Sequence, residues 1–194
     1  MGKLLYIAKQ SGNPQGWFGH IVARVMAYET AKVNRMALEH LDVAEGDTVL
    51  EVGFGHGQTV REIARRVGSA TIAGVDPSDV MVSVARSKSR AWADRVDLRS
   101  GLAESLPFDD GMFDRALTVH TTYFWPQLAP GLREVRRVLG DRGRFVVGFR
   151  PEDDAFAVRN LPPSIYTLHS IKKMESVLKL VGFDNVSVVC TDFK

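Results

Sequence analysis

The 194-residue chain has a single cysteine, Cys190. One thiol excludes a disulfide framework, a cysteine-rich zinc site and a cysteine-ligated iron–sulfur cluster. It fits a reducing, cytoplasmic setting. There is no apolar run of roughly 18 residues or more, so no segment is expected to span a membrane. The N-terminal stretch MGKLLYIAKQSGNP lacks the continuous apolar centre of a secretory signal. Charge of one sign is not in excess: 25 Lys and Arg stand against 23 Asp and Glu, a net +2. The arginines are scattered among acids, so no specific nucleic-acid partner is implied. Internal repeats and low-complexity tracts are also missing. With 45% hydrophobic and 25% charged residues, what remains has the composition of one globular domain.

The most informative stretch is TVLEVGFGHG, residues 48–57. Thr48, Val49, Leu50 and Val52 form a β-rich apolar run, suited to a buried strand of a parallel sheet. Gly53, Gly55 and Gly57 then alternate through a tight turn, and Thr59, Val60, Ile63, Ala64 and Val67 follow at helical spacing. Glycine permits positive φ and close approach of a ligand, and the free N–H groups of the next helix point at that ligand. A dinucleotide site requires G-x-G-x-x-G, but its third glycine is replaced by Gln58. Asp76 closes the next β-rich run, ATIAGVD, about 20 residues past the glycine turn. An acid at that spacing meets ribose hydroxyls in nucleotide-type folds, where a carboxylate accepts both protons.

Three linked motifs carry a family resemblance: E-x-G-x-G-x-G from Glu51, Asp76 after the second strand, and A-E-x-L-P-F from Ala103. Together they resemble class I S-adenosylmethionine (SAM) dependent methyltransferases, from Asp47 to Cys190. The N-terminal Q-S-G-x-P-x-G-x-x-G is similar to that of a bacterial small-molecule and phospholipid methyltransferase branch with a type 11-like domain. The resemblance implies an α/β fold of Rossmann-like, doubly wound type. Its mostly parallel sheet of six or seven strands carries helices on both faces and an N-terminal helical lid. Residues 1–43 are the expected loop and helical lid, whose helices also read as a cover for the sheet or as an amphipathic membrane-surface segment, and 44–194 the SAM-binding domain.

The resemblance further implies a cofactor site of Glu51, Gly53, Gly55, Gly57, Asp76, Pro77, Met81, Leu102, Ala103, Glu104 and His120. Glu51 is expected to sit beneath the turn, its negative charge holding loop N–H groups and favouring the SAM ammonium. Leu102 stands where the family usually has an Asp that accepts from the adenine amino group; the Ala103 N–H still reaches the ring.

His120 follows the fourth strand, FDRALTV, where methyl and acceptor meet in this family. It is a candidate base, substrate ligand or cofactor contact, or a structural residue. Tyr123 is a second catalytic candidate. Tyr123 and Trp125 are expected either to wall the acceptor pocket or to cap the core. Trp17, Phe18, His20 and Tyr28 are the lid's candidate acceptor contacts. Gly140–Gly143 is expected as a turn, 151–164 as loop, 166–181 as helix and 186–190 as a sixth strand. A seventh strand is not expected: either the C-terminus is truncated or the sheet is one strand smaller, with an edge open to a homodimer partner.

The implied reaction is in-line transfer of a methyl group from SAM to O, N or C of a small molecule or lipid head group. S-adenosylhomocysteine (SAH) is the product and no metal is required. VHTT stands where N-P-P-Y would mark amino-directed base methylation. Leu102 and the missing strand keep open a non-catalytic SAM- or nucleotide-binding module; an NAD-dependent oxidoreductase is opposed by Gln58.

Overall fold

Leu50 and Val52 point to one side of the first strand and Val49 to the other, and all three are buried. A strand apolar on both faces needs cover on both faces. The computed structural model of the chain describes residues 32–191. Strands β1 (Thr48–Val52), β2 (Thr71–Asp76), β3 (Val96–Ser100), β4 (Phe113–Val119) and β5 (Leu139–Gly148) form one sheet in the order β3-β2-β1-β4-β5. Every neighbouring pair is parallel.

The helices are α1 (32–41), α2 (Gln58–Arg66), α3 (Asp79–Lys88), α4 (Leu128–Val138), α5 (Ala155–Asn160) and α6 (Ile171–Leu180). Leu50, Val52, Ala73, Val75 and Ala116 pack with Leu132, Val135 and Val138 of α4 and Met174 and Leu178 of α6. The opposite face sets Val49, Ile72, Leu98 and Leu117 against Leu41 of α1, Val60 and Ile63 of α2, and Val82 and Ala85 of α3. The expected doubly wound architecture is present.

The strand count is corrected. Among the described residues the sheet has five strands, and Val186–Cys190 forms none despite its β-branched sequence. The expected turn at Gly140–Gly143 is instead a bulge within β5. Phe113 pairs with Leu139 and Arg115 with Arg144, so two steps along β4 face five along β5. Helix α3 ends at Lys88 and is followed by a short 3-10 turn, Arg90–Trp92. The expected loop 151–164 contains α5, capped by Asp154, whose carboxylate accepts from the Ala157 N–H at 2.7 Å. The helix expected from Tyr166 begins at Ile171.

Gly131 of α4 is a packing requirement. A Cβ there would lie 2.7 and 2.8 Å from ring carbons of the buried Trp125. Gly131→Ala is therefore expected to destabilise the fold by about 1–3 kcal/mol through overpacking, despite better helix propensity. A urea unfolding midpoint at or above that of the wild type would contradict this.

Candidate active site at the carboxyl ends of β1, β2 and β4

The strand order reverses its winding between β1 and β4: β2 and β3 lie to one side, β4 and β5 to the other. Open parallel sheets bind ligands in the crevice at that switch point, beyond the carboxyl ends of the strands. The turn 53–57 leaves β1 at this rim, and the residues after β2, β3, β4 and β5 surround it.

Gly53, Gly55 and Gly57 have φ of 78°, 52° and 73°, backbone that L side chains rarely adopt. The outer two are also packing positions. A Cβ on Gly53 would fall on the Thr121 methyl after β4, and one on Gly57 would lie 2.9 Å from the Ala85 Cβ of α3. Gly55 differs, since nothing lies within 4 Å of where its Cβ would be. Its N–H donates to Asp76 Oδ2 at 2.8 Å, and the Ser78 N–H donates to Asp76 Oδ1 at 2.9 Å. One buried carboxylate thus ties the glycine turn to the start of α3. Burial raises the Asp76 carboxyl above its ordinary pKa, and the two N–H bonds pull it back. Pro77 is exposed and Met81 is buried, its N–H facing the Ser78 hydroxyl that caps α3.

Glu51 corrects an expectation. Its carboxyl accepts from the Thr59 hydroxyl and Val60 N–H at the start of α2, rather than from the N–H groups of the glycine turn, and Oε2 has no partner. Burial first, then the nearby Asp76, pushes its pKa up to about 8, against the pull of Thr59, Val60 and Arg61. It is therefore largely uncharged at neutral pH in the free protein. An acid whose folded pKa exceeds its unfolded one stabilises fully below the unfolded pKa of about 4.5, and that stabilisation is lost as pH rises to about 8. Glu51→Gln is expected to flatten the decline in melting temperature between pH 5 and 8. Asp76 contributes in the same direction in both proteins, so the difference between them isolates Glu51. Parallel pH profiles would contradict this.

After β3, Leu102 is 59% exposed and its C=O accepts from the Ser105 N–H at 3.2 Å. Ala103 is buried, and Glu104 Oε1 is buried without a partner. The following Leu106–Phe108 is clamped by two residues to which sequence reasoning assigned no such role. Glu134 accepts from the Leu106 N–H at 2.9 Å, and Arg137 donates to the Leu106 and Phe108 carbonyls at 3.0 and 2.8 Å. Their one visible signal is the i,i+3 acid–base spacing on α4.

At the end of β4, His120 has φ of 58°, uncommon for any residue but glycine. Its N–H donates to the Gly148 carbonyl at 2.7 Å. Its Nδ1 lies 2.9 Å from the Tyr123 hydroxyl, which also receives the Arg150 N–H. Arg150 pairs with Asp154 at 3.1 Å and lies over the Phe156 ring. Burial first, then Arg150, lowers the His120 pKa to about 4, with Asp154 opposing. Burial holds the Tyr123 phenol well above its ordinary value.

Trp125 is a core residue packed on Gly131, which corrects its place among the acceptor-wall candidates. Trp17, Phe18, His20 and Tyr28 lie outside the described residues. Among the described residues, no group of three or more His, Cys, Asp or Glu is placed to hold a metal ion, and no helix is long and apolar enough to cross a membrane.

A parallel switch-point crevice, a glycine turn and an acid at the tip of the adjoining strand define a Rossmann-like cofactor-binding protein. A family model described as "Methyltransferase domain" matches residues 49–143. The uncharacterized methyltransferase YdaC of Bacillus subtilis is 25% identical over 175 residues, which cover 90% of this chain and 92% of that protein. The methyltransferase GfsG of Streptomyces halstedii is 34% identical over 60% of this chain and 42% of its own length. The crystal structure of YcgJ from Bacillus subtilis aligns with a TM-score of 0.66 at 27% identity, covering 76% of this chain and 66% of that one. This chain thus spans under half of GfsG and about two thirds of YcgJ. The methyltransferase-domain match and these relatives support a place among the class I SAM-dependent methyltransferases.

Proposed function

We propose that this protein transfers a methyl group from SAM to O, N or C of a small molecule or lipid head group. The observation that carries the reading is the tie between Gly55, Asp76 and Ser78 beside open space at the switch point. A carboxylate has about four lone-pair sites. Two on Asp76 are taken by N–H groups, which leaves two for the ribose hydroxyls. The fit to SAM is supported by buried polar atoms without partners in the segments around the crevice: Glu51 Oε2, His56 Nδ1 and Glu104 Oε1. Gly53, Gly55 and Gly57 lie under the methionine half of SAM, and Glu51 faces its ammonium. Pro77 and Met81 support the ribose side, while Leu102, Ala103 and Glu104 border the adenine.

When bound, SAM supplies an electrophilic methyl group on a sulfonium. The chain's task is then to align the acceptor near that carbon and exclude water. His120 and Tyr123 form the acceptor end. Of the segment expected as a lid, the described part, α1, sets Val33 beside Gly148 at this rim. A second copy of the chain pairs against the outer edge of β5, and a monomer in sedimentation at micromolar concentration would remove that pairing.

Leu102 favours a second reading, a SAM- or nucleotide-binding module without turnover, because an exposed leucine cannot accept from the adenine amine. Calorimetry with SAM, SAH and NAD tests both readings. Affinity for SAM and SAH with none for NAD is expected, and no affinity for either sulfur ligand sinks the proposal. Conversion of SAM to SAH with an acceptor removes the non-catalytic reading. Because a cation beside Glu51 favours its ionised form, SAM affinity is expected to rise from pH 6 to about 8 and then level off.

A further inference from the structure

The acceptor can be narrowed from the hydrogen-bond directions around His120, an inference that rests on the methyl-transfer reading above. A backbone N–H only donates, so Arg150 N–H occupies the Tyr123 oxygen as donor. The Tyr123 hydroxyl is buried, and its own hydrogen needs an acceptor. His120 Nδ1, at 2.9 Å, is that acceptor. Nδ1 therefore carries no proton, and the neutral ring carries it on Nε2. His120 is thereby built as a donor, and its left-handed backbone holds that donor at the tip of β4.

We propose that the acceptor is a carboxylate on an apolar body, methylated on oxygen, with His120 Nε2–H donating to it and Tyr123 acting as a positioning residue.

Three observations support this choice over an alcohol or amine. First, the charged groups facing His120 are Arg150 and Asp154, and burial with Arg150 holds its pKa down to about 4. A base that weak is poorly matched to a phenol or alkylammonium near 10, whereas a carboxylic acid near 4 arrives already ionised. Second, Arg150 places positive charge beside the ring, which disfavours an ammonium and favours an anion. Its pairing with Asp154 reduces that field without reversing it, since Arg150 acts on His120 more strongly than the opposing Asp154 does. Third, Tyr123 packs in a cluster with Tyr166, Phe124, Phe149 and Leu161, an apolar wall beside the polar trio. The step balances without a base. A carboxylate oxygen lone pair forms the new O–C bond, the carbon–sulfur bond breaks, and its electron pair remains on sulfur. The products are a methyl ester and a neutral thioether, and no proton is released.

The test compares a carboxylate, an alcohol and an amine, each on dodecyl and phenylethyl bodies, with SAM and the full chain. SAH formation is read together with proton release in weak buffer. Expected is turnover of a carboxylate about 100-fold above the others, a base-labile product and no proton release. His120→Gln, which keeps an N–H near Nε2, should stay within about tenfold of wild type, while His120→Phe should lose about 100-fold. Independently of turnover, nitrogen-15 NMR should report a neutral Nε2–H His120 from pH 5.5 to 9, with the tautomer no longer fixed in Tyr123→Phe. Methylation of only the alcohol or amine with proton release, His120→Gln as inactive as His120→Phe, or SAM binding without turnover of any acceptor overturns the carboxylate. Failure to bind SAM at all instead overturns the methyl-transfer reading on which it stands.

Discussion

Asp76→Ala is expected to raise the dissociation constant for SAM by about 10²–10³-fold, measured by calorimetry. The carboxylate has two tasks in one place. It accepts from Gly55 and Ser78 at 2.8 and 2.9 Å, and its remaining lone pairs face the proposed ribose position. Alanine leaves both N–H groups without their partner, at about 1–3 kcal/mol for each that stays buried, and removes the ribose contacts as well. Part of the first cost falls on the free protein, where the turn can relax, so a net 3–4 kcal/mol in binding is the reasonable magnitude, or 10²–10³-fold. Asp76→Asn keeps one carbonyl oxygen and should fall between. A change below about threefold would show that Asp76 is only a tie for the turn.

The second large effect is expected for Gly53→Ala, and it acts from the back of the crevice. The residue has φ of 78°, which costs an alanine about 1–2 kcal/mol. The new Cβ would also fall on the Thr121 methyl and lie 3.0 Å from the Thr121 Cβ. Thr121 is not free to swing away. Its hydroxyl pairs with that of Thr118, which in turn donates to the Val52 carbonyl at 2.7 Å. The tips of β1 and β4 must therefore part. With strain and overpacking together near 2–4 kcal/mol, the melting temperature should fall by roughly 5–15 °C. SAM affinity should drop about 100-fold or more as the turn tilts. Thr121→Ser removes the obstructing methyl, so the double variant should recover part of both losses. Additive effects in that cycle would mean the clash is not the cause.

The parts of the site that lie within a few residues of one another were legible in the sequence. β1, β2 and β4 begin and end within a residue of their expected places, because apolar runs bounded by Gly and Pro carry that information locally. Glu51 was legible as a position but not as a charge state: burial decides its pKa, and burial is a property of the assembled sheet. Gly140-Asp141-Arg142-Gly143 has turn chemistry, yet pairing with β4 absorbs it as a bulge. Val186–Cys190 has strand chemistry yet pairs with nothing in the sheet. Local propensity was overridden in both cases. The helix capped by Asp154 was missed, since 151–164 was expected as loop although an acid just ahead of Ala155-Phe156-Ala157 is a helix-start signal. The tie from Tyr123 to Arg150, 27 residues apart, had no local signature at all.

The bulge in β5 has a consequence far from where it sits. Five steps of β5 are laid against two of β4 near Gly140–Gly143, at the end of the sheet away from the crevice. The three surplus residues determine which part of the chain has arrived when β5 reaches the rim. With them, His120 meets Gly148, and the Arg150 N–H meets Tyr123. Without them, the chain would be drawn back by three, and Pro151 and Asp153 would stand where Gly148 and Arg150 now are. Because three is odd, Phe145 and Val147 would also exchange faces with their neighbours. A short deletion roughly 20 Å from the rim would thus rewrite the proposed acceptor end while leaving every residue of the glycine turn in place. Length at the floor of the sheet decides, in this fold, which side chains stand at its rim.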